Sequence, residues 1–367
     1  MSENICRWGI LSTAGIAMKN WHSIAASGNG RVVAVASRSV EKAQAFIDAC
    51  QASVPVQHQV DAAGTYEELL DRDDIDAVYI PLPTGIRTEW VVRAANAGKH
   101  VMVEKPVGVT ADDVRAMIDA CAANNVQFMD GVMFMHSARM PELRKVLDDG
   151  ESVGEIRRIA SQFSFCADEE WVSSNIRASS NLEPAGCLGD LGWYTIRMTL
   201  FAMKYEMPKE VRGRILFGAK RPDSPHDVPM EFQGELHFAS GVSATFYNSF
   251  RGNHQQWVNV SGTKGYLEVK DFVLPYFGNT LSFDVANHNF AADGCRFNME
   301  KYLKTVSVSE FSNNDANAQE SNLFRNFSSL VLGGTPDPHW PEISLKTQLV
   351  LDAALRSAQN NSDPEML

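Results

Sequence analysis

The sequence predicts an α/β protein of two domains, the first built on a parallel sheet and the second on a largely antiparallel one. The chain has 367 residues, about twice the usual length of a single domain. Strand-like and helix-like segments alternate from residue 7 to about residue 130, whereas strand-like segments follow one another with few helices after about residue 131. We therefore predict one domain at residues 1–130 and a second at residues 131–367.

The elements of the first domain follow from its apolar pattern. Short apolar runs predict strands at Trp8–Leu11, Val32–Ala36, Gln57–Val60, Ala77–Ile80, His100–Val103 and Gln127–Asp130. More polar, alanine-containing stretches predict helices at Val40–Cys50, Tyr66–Leu70, Thr88–Ala97 and Ala111–Asn124. This order is typical of βαβ units, which place helices on both faces of a parallel sheet.

The second domain shows the two-residue alternation of half-buried strands. This alternation predicts strands at Ile156–Cys166, Val211–Gly218, Glu231–Phe238, Val242–Phe250, Trp257–Ser261 and Gly265–Val269. Glycine-containing turns between neighbouring runs indicate hairpins, and therefore antiparallel pairing. Apolar residues at three- and four-residue steps predict two final helices, at Asn314–Leu332 and Ser344–Gln359.

Composition and charge narrow the function classes. The chain has 33 basic and 45 acidic residues and a formal charge of −12, which disfavours nucleic acid and anionic membranes as partners. No apolar run reaches the ~18 residues of a membrane helix, and the start has no signal-peptide core, so we expect a cytoplasmic protein. The six cysteines are scattered, which predicts buried thiols. The histidines form no zinc-binding pattern, so we predict no metal.

The turn after the first strand is the first candidate for cofactor binding. In dinucleotide-binding folds this turn carries three glycines that approach a pyrophosphate. Here Ser12, Ala14 and Ala17 occupy the glycine positions, yet small side chains still allow a phosphate to approach a helix N-terminus. The cofactor-binding candidates in this turn are Ser12, Thr13, Ala14, Gly15 and Ile16. An ordinary strand-to-helix turn is the alternative interpretation.

The end of the second strand indicates which dinucleotide binds. An acidic residue about 20 residues beyond the turn usually bonds the adenosine ribose 2′-hydroxyl, but this chain has Ser37 and Arg38 there. A hydroxyl and a guanidinium suit a 2′-phosphate, because arginine offers planar, charge-assisted donors. We therefore predict NADP(H), with NAD(H) as the second possibility. The alternative interpretation is a solvated arginine at a strand end.

The fourth and fifth strands end at the carboxyl edge of the sheet, where open α/β folds bind their ligands. Pro81, Leu82 and Thr84 follow the fourth strand, and Glu104 and Lys105 follow the fifth. We count all five as cofactor-binding candidates. An isolated lysine is usually solvated, so it is its place at this edge that makes Lys105 a catalytic and substrate-binding candidate.

A glycine-punctuated segment in the second domain supplies the other candidates. Asp190 and Tyr194 are four residues apart, which places them on one face of a predicted helix, with Arg197 further along that face. A capping aspartate and a packed tyrosine are the alternative. Further substrate-binding candidates precede this segment: His136, Asn175 and Arg177. Packing at a domain junction explains His136 and Arg139 equally well, and His237 is expected to be structural.

These segments resemble the glucose-fructose oxidoreductase, inositol dehydrogenase and MocA-like family (Gfo/Idh/MocA). Three marks carry the resemblance, which covers essentially the whole chain: the opening at residues 8–17, the triplet Glu104-Lys105-Pro106 with its upstream run, and the segment from Gly189 to Tyr194. The family implies an N-terminal Rossmann domain and a C-terminal α/β domain with a large open, mostly antiparallel sheet. The free face of that sheet commonly forms subunit contacts, which implies a dimer or tetramer.

The resemblance also implies roles for individual residues. Lys105 is expected beside the nicotinamide, and Asp190 and Tyr194 in the substrate cleft. Many members have a histidine where this chain has Tyr194, so the chain resembles the branch that contains dimeric dihydrodiol dehydrogenase. Relatives often have an asparagine and a histidine where this chain has Thr84 and Arg87. Contacts at those two positions are therefore not transferred.

The predicted function is reversible hydride transfer between nicotinamide and a hydroxyl-bearing carbon of a sugar, polyol or dihydrodiol. Tyr194 would move the hydroxyl proton, and the ammonium of Lys105 would favour the phenolate of a group that normally titrates near ~10. Asp190 would orient Lys105 or the substrate. The alternative is a nucleotide-sensing or regulatory protein without turnover on the same fold. A methyltransferase is a third interpretation, which Ser37 and Arg38 support little.

Overall fold

The computed structural model describes residues 4–367. The strands are β1 Cys6–Leu11, β2 Gly30–Ala36, β3 Asp61–Ala63, β4 Ala77–Ile80, β5 His100–Val103, β6 Phe128–Asp130, β7 Ile156–Cys166, β8 Glu210–Ala219, β9 Val228–His237, β10 Ser243–Ser249, β11 Arg251–Gly262, β12 Tyr266–Val269, β13 Thr280–Asp293, β14 Arg296–Ser309 and β15 Glu365–Met366. The α-helices are α1 Gly15–Ser27, α2 Val40–Ser53, α3 Tyr66–Leu70, α4 Thr84–Asn96, α5 Ala111–Ala123, α6 Arg139–Asp148, α7 Glu169–Ser174, α8 Trp193–Ala202, α9 Gln319–Gly333 and α10 His339–Gln359.

The chain forms two compact units. The first contains the described residues up to His136 together with Asn181–Pro184 and Asn313–Leu349. The second contains Ser137–Ser180, Ala185–Ser312 and Val350–Leu367. The structure thus groups α9 with the N-terminal unit, although the sequence places all of residues 131–367 in the second domain. Periodicity predicts that a segment is helical but does not say which sheet it packs against.

The first unit is built on a six-stranded sheet of order β3-β2-β1-β4-β5-β6, and all its neighbouring strands are parallel. The chain extends the sheet from β1 through β2 to β3 and then returns to the other side of β1 with β4. The order of strands therefore reverses between β1 and β4. In open α/β sheets the ligand crevice lies at the carboxyl ends of the strands at this switch point.

The core of the first unit explains why the chain returns to it after residue 312. The indole of Trp8 on β1 lies 5.2 Å from the ring of Phe324 and 5.1 Å from that of Phe327, both on α9. Trp8 Nε1 also donates a hydrogen bond of 3.1 Å to Ser328 Oγ. All three rings are buried. Helix α9 therefore covers an apolar face that the N-terminal segment leaves open.

The second unit is built on a nine-stranded sheet of order β14-β13-β12-β11-β7-β10-β9-β8-β15. Its neighbouring strands are antiparallel except for β7 and β10, which pair in parallel. Together with the parallel sheet of the first unit, this confirms the predicted fold class. Within residues 4–367, no helix combines the length and the apolarity that crossing a membrane requires.

Several predicted boundaries are wrong for physical reasons. Residues 57–60 are not a strand: the third strand is β3, which pairs with Ala34–Ala36 of β2. The position of this strand depends on pairing with β2 rather than on local apolarity. Helix α4 begins at Thr84, four residues before the predicted start. The long strands β13 and β14 were not predicted. All six cysteines are free, but Cys166 and Cys295 are exposed rather than buried.

Candidate functional site

Four loops of the first unit lie at the carboxyl edge of its sheet. Strand β1 leads into Ser12–Gly15, β2 into Ser37 and Arg38, β4 into Pro81–Thr84, and β5 into Glu104 and Lys105. Because these strands are parallel and adjacent, their ends share one edge. The fold therefore brings together the cofactor-binding candidates that the sequence places in four separate segments.

The turn after β1 keeps a glycine-like backbone although its glycines are replaced. Ser12 has φ of 130°, a conformation that side chains disfavour. Its N–H donates to Ala36 O at 3.0 Å, and its Oγ accepts from the N–H of Ala14 at 3.1 Å. Among the described residues, no side chain caps α1, its first turn holds no acidic residue, and a Cβ on Gly15 would meet open space. The start of α1 thus fits an anion such as a pyrophosphate.

The end of β2 presents a cation next to this turn. Ser37 is buried, and its N–H donates to Ala63 O at 3.2 Å, whereas Arg38 is exposed. Helix α2 begins two residues later and is capped by Ser39, whose Oγ accepts from the N–H of Lys42. Burial raises the pKa of Tyr66, and the nearby charge of Arg38 opposes that rise. An exposed guanidinium near the start of α2 suits a 2′-phosphate.

The loops after β4 and β5 are joined by Arg87, which is 3% exposed. Its Nε donates to Leu82 O at 2.9 Å, its Nη1 donates to Glu104 O at 2.7 Å, and Nη1 also reaches Pro106 O. Burial lowers the pKa of Arg87, while the carboxylates of Glu183 and Glu104 act in the opposite direction. The guanidinium therefore holds the backbone on both sides of Lys105. The Arg87 side chain therefore stabilises the two loops through their backbone carbonyls and is not available to solvent.

Glu104 points into the first unit rather than to solvent. Tyr79 on β4 donates to Glu104 Oε1 at 2.5 Å and accepts from Asn20 Nδ2 at 2.6 Å, while Glu104 Oε2 accepts from the N–H of Lys105 at 3.2 Å. Burial, and then the charge of Glu104, raise the pKa of Tyr79 well above its usual value, so its phenol stays a donor. Lys105 is half-buried, and the Lys105–Pro106 peptide bond is cis.

The segment with the second set of candidates is not one regular α-helix. Leu188–Gly192 is π-helical and α8 follows it, so Asp190 lies in the π-helical turn and Tyr194 in the α-helix. π-Helical turns occur often at functional sites. The ring of Tyr194, which is half-buried, lies 5.6 Å from that of Phe163 in a T-shaped arrangement. Arg197 is fully buried, with its guanidinium 5.8 Å from the Trp193 ring, and belongs to the core.

Asp190 is held by one of the other candidates. Arg177 Nε lies 2.8 Å from Asp190 Oδ2. Asn175 stabilises the short turn that carries Arg177, because its Oδ1 accepts from the N–H of Arg177 at 3.0 Å. Burial raises the pKa of Cys187 well above its usual value, and the charges of Asp190 and Glu231 raise it further. The second unit thus gathers Asn175, Arg177 and Asp190 into one polar group.

The remaining candidates have contacts typical of packing. His136 stacks on Trp340 at 4.6 Å, and its Nδ1 lies 3.0 Å from Asn326 Nδ2. Arg139 is buried and pairs with Asp271 at 2.5 Å. These contacts agree with the packing interpretation of the segment from His136 to Arg139. A role of His136 in substrate binding stays a prediction.

Several residues near the site were not singled out from the sequence. Tyr79 and Asn20 carry buried hydroxyl and amide groups, and a polar atom inside a predicted apolar strand is the signal for Tyr79. Glu183 accepts hydrogen bonds from Thr84, 99 residues away in sequence. The only local sign of Glu183 is its place in a Glu-Pro pair just before the glycine-punctuated segment.

Comparison with known proteins gives a consistent result over the whole chain. Residues 6–132 match the model of the oxidoreductase family with an NAD-binding Rossmann fold (GFO_IDH_MocA), and residues 140–268 match the GFO/IDH/MocA C-terminal domain. D-Xylose 1-dehydrogenase (NADP(+)) 2 of Haloferax volcanii is 28% identical over 359 residues, which are 98% of this chain and 99% of that protein. Trans-1,2-dihydrobenzene-1,2-diol dehydrogenase of Mus musculus is 28% identical over 272 residues, 73% of this chain and 76% of that protein.

A solved structure shows the same fold. A 3-ketoreductase from Actinomadura kijaniata, in complex with NADP and TDP-benzene, superposes with a TM-score of 0.78 at 24% identity. The match covers 96% of this chain and 98% of that one. The two-sheet architecture is therefore that of a known group of proteins.

Proposed function

Because the chain belongs to the Gfo/Idh/MocA oxidoreductase family, we propose that it transfers a hydride between a nicotinamide and a hydroxyl-bearing carbon of a sugar, polyol or dihydrodiol. The observation that carries this proposal is the position of Lys105, at the carboxyl end of β5 in a dinucleotide-binding sheet. The names of the xylose and dihydrodiol dehydrogenases support the substrate class.

We propose NADP(H) as the preferred cofactor, with NAD(H) as the second possibility. Ser12–Ile16 would hold the pyrophosphate at the start of α1, since that helix has a turn with a glycine-like backbone before it. Ser37 and Arg38 would hold the 2′-phosphate through a hydroxyl and a guanidinium. Pro81, Leu82, Thr84 and Glu104 belong to the loops beside which the nicotinamide end would bind.

The side chains divide the remaining work. The cofactor, when bound, supplies the hydride donor or acceptor. Tyr194 moves the proton of the substrate hydroxyl at its phenol oxygen, and Lys105 supplies the positive charge that favours the phenolate. Asp190 orients Lys105 or the substrate hydroxyl. Its ion pair with Arg177 keeps that carboxylate in one position, and Asn175 holds the turn that carries Arg177.

The decisive experiment is a turnover assay. The purified chain is mixed with NADP⁺ or NAD⁺ and a panel of sugars, polyols and dihydrodiols, and the absorbance of the reduced nicotinamide is followed. Growth of this absorbance with at least one alcohol is expected, and it should be faster with NADP⁺. A nucleotide-sensing protein without turnover would instead change NADPH fluorescence on binding but give no increase in absorbance with any alcohol. That result would contradict the proposed enzyme and support the sensing function.

We further propose a homo-oligomer, a dimer or tetramer, formed through the C-terminal sheet. Within β13, only Asp284–Ala286 pair with β12. The pairing of β13 with β14 continues beyond these residues as far as Asp293 and Arg296, and this part is a two-stranded extension of the sheet. In this extension Phe290 pairs with Met299 and Ala292 with Phe297, so their side chains share one face. Phe290, Met299 and Phe297 are 56%, 62% and 72% exposed. A two-stranded extension with an exposed apolar face is marginal alone and favours a partner.

The free cysteines support a location in a reducing compartment. All six cysteines are free, four of them buried. Disulfide-free cysteines are usual in proteins of the cytosol. On this basis we propose a cytoplasmic location.

A further inference from the structure

A short segment between two parts of the second unit belongs to the first unit. Residues before Asn181 and after Pro184 are grouped with the second unit, whereas Asn181–Pro184, here called the strap, is grouped with the first. The strap ends six residues before Asp190 and ten before Tyr194. It therefore sets the point at which the chain leaves the Rossmann unit for the segment that carries both substrate-binding candidates.

The strap is attached to the start of α4 by side-chain and backbone hydrogen bonds. Glu183 Oε1 accepts from the N–H of Thr84 at 3.0 Å, and Glu183 Oε2 accepts from Thr84 Oγ1 at 2.7 Å. The N–H of Gly85 donates to Leu182 O at 2.9 Å. The N-cap residue of α4 is Pro83, whose side chain cannot accept a hydrogen bond from the first turn of the helix. The carboxylate of Glu183, 99 residues beyond Thr84, caps the helix instead.

Gly85 is required for this attachment. A Cβ added to Gly85 would lie 2.0 Å from Asn181 O, which is backbone and cannot turn aside. Any larger residue at position 85 must therefore push the strap away from α4. This requirement gives a way to displace the strap without removing Glu183.

The contacts continue from the strap to the backbone around Lys105. Thr84 Oγ1 also lies 3.4 Å from Pro106 O, and Arg87 on the same helix donates to the carbonyls of Glu104 and Pro106. Glu183 also acts on Arg87, since its charge opposes the fall in the Arg87 pKa that burial causes. One end of α4 thus contacts both the strap that precedes Asp190 and the loop that carries Lys105.

We propose that Glu183 is a positioning residue for hydride transfer: by capping α4 it fixes the start of the segment that carries Asp190 and Tyr194. This inference rests on the proposed function. Holding reacting groups in place contributes strongly to rate, and misplacement by about 1 Å costs roughly 10²-fold. Loss of the cap therefore affects the reaction with the alcohol, while the cofactor-binding turn at Ser12–Ile16 stays intact.

The test compares Glu183→Ala and Gly85→Ala with wild type and with Glu89→Ala as the matched control. Glu89 is an exposed acid on the same helix, paired with Arg93. We expect both strap variants to lower kcat/KM for the alcohol by about 10- to 100-fold, to raise the kinetic isotope effect measured with the alcohol deuterated at its reacting carbon, and to change the Kd for NADPH less than about twofold. Glu89→Ala should match wild type, and Glu183→Gln should fall between, since its amide oxygen still accepts one hydrogen bond.

The double variant tests whether Glu183 and Gly85 act through the same attachment of the strap or through two independent effects. Glu183→Ala combined with Gly85→Ala should be no worse than the poorer single variant, because both remove the same attachment. Additive losses, an unchanged kcat/KM in either strap variant, or a parallel loss of NADPH affinity would each overturn the positioning role. Wild type that oxidises no alcohol would instead overturn the proposed function itself, so the two failures are distinguishable.

Discussion

Tyr79 donates a hydrogen bond of 2.5 Å to the carboxylate of Glu104, one residue before Lys105. Both side chains are buried, and Asn20 donates to the same phenol oxygen. The residue before the candidate catalytic lysine is therefore tied to the interior of the parallel sheet. The same carboxylate also holds the backbone of Lys105, because Glu104 Oε2 accepts a hydrogen bond from the Lys105 N–H.

Tyr79→Phe should reduce the stability of the protein. The change leaves a buried carboxylate and a buried amide without this partner, which costs about 1–3 kcal/mol. Urea unfolding followed by circular dichroism measures the loss. Tyr276→Phe is the control, because Tyr276 is 63% exposed and should change the free energy of unfolding by less than about 0.5 kcal/mol. Equal stability of the two variants would show that the buried hydrogen bond contributes little.

Ser12→Gly should stabilise the chain. Ser12 has φ of 130°, and such a backbone conformation costs a residue with a side chain about 1–3 kcal/mol. Glycine removes this strain but loses the Oγ contact to Ala14, so a net gain of about 1 kcal/mol is expected in the free energy of unfolding. Ser12→Ala keeps the strain and loses the contact, so it should be less stable than wild type. A Ser12→Gly variant with a lower free energy of unfolding than wild type would contradict the backbone strain inferred at Ser12.

Arg38→Ala should remove the preference for NADP(H). A charge-assisted hydrogen bond to a phosphate contributes about 1.5–3 kcal/mol, which corresponds to roughly a 10- to 100-fold rise in the Kd for NADPH. The Kd for NADH should stay unchanged, and fluorescence titration measures both. Arg115→Ala is the matched control, because Arg115 is a surface arginine of the same unit, paired with Asp112. A similar loss for both cofactors would place Arg38 elsewhere than at a 2′-phosphate.

Tyr194→Phe should keep NADPH binding and lose most turnover. Acid–base catalysis contributes about 10²- to 10⁴-fold in rate, and phenylalanine keeps the packing against Phe163. Lys105→Ala should be at least as damaging. Steady-state kcat and the Kd for NADPH measure the two effects separately. Normal turnover by the phenylalanine variant would mean that another group moves the proton.

Replacing Phe290 and Phe297 by serine should weaken the oligomer. Both rings lie on the apolar face of the β13–β14 extension, at a stacking distance of 5.8 Å. Light scattering after gel filtration should show a lower mass for this variant, with the Kd for NADPH unchanged. Tyr302→Ser is the control, because Tyr302 pairs with Asn287 and lies on the opposite face. A wild-type chain that is a monomer at all concentrations would remove the proposed oligomer.

Local patterns were sufficient for much of the fold. β4, β5, α3 and β7 have the predicted bounds, because the local pattern of apolar and polar residues that predicts each one is complete within its own residues. The third strand was misplaced, because β3 depends on pairing with β2. The helical segment predicted after Tyr194 lies within α8, but the regular helical face predicted for Asp190 and Tyr194 is wrong, because Leu188–Gly192 is π-helical. In that turn a Cβ on Gly192 would lie 2.9 Å from Leu188 Cδ1, so the leucine side chain would have to shift.

The sequence by itself determined the parallel and the antiparallel character of the two domains, the family, and the four loops that follow the strands of the parallel sheet, since these depend on periodicity and on residues close together in the chain. Only the tertiary structure decided that α9 covers Trp8, that Arg177 holds Asp190, and that Glu183 caps α4. The physical reason is that a buried polar or charged group takes its partner from whatever part of the chain the packing brings near. Sequence separation carries no information about that choice.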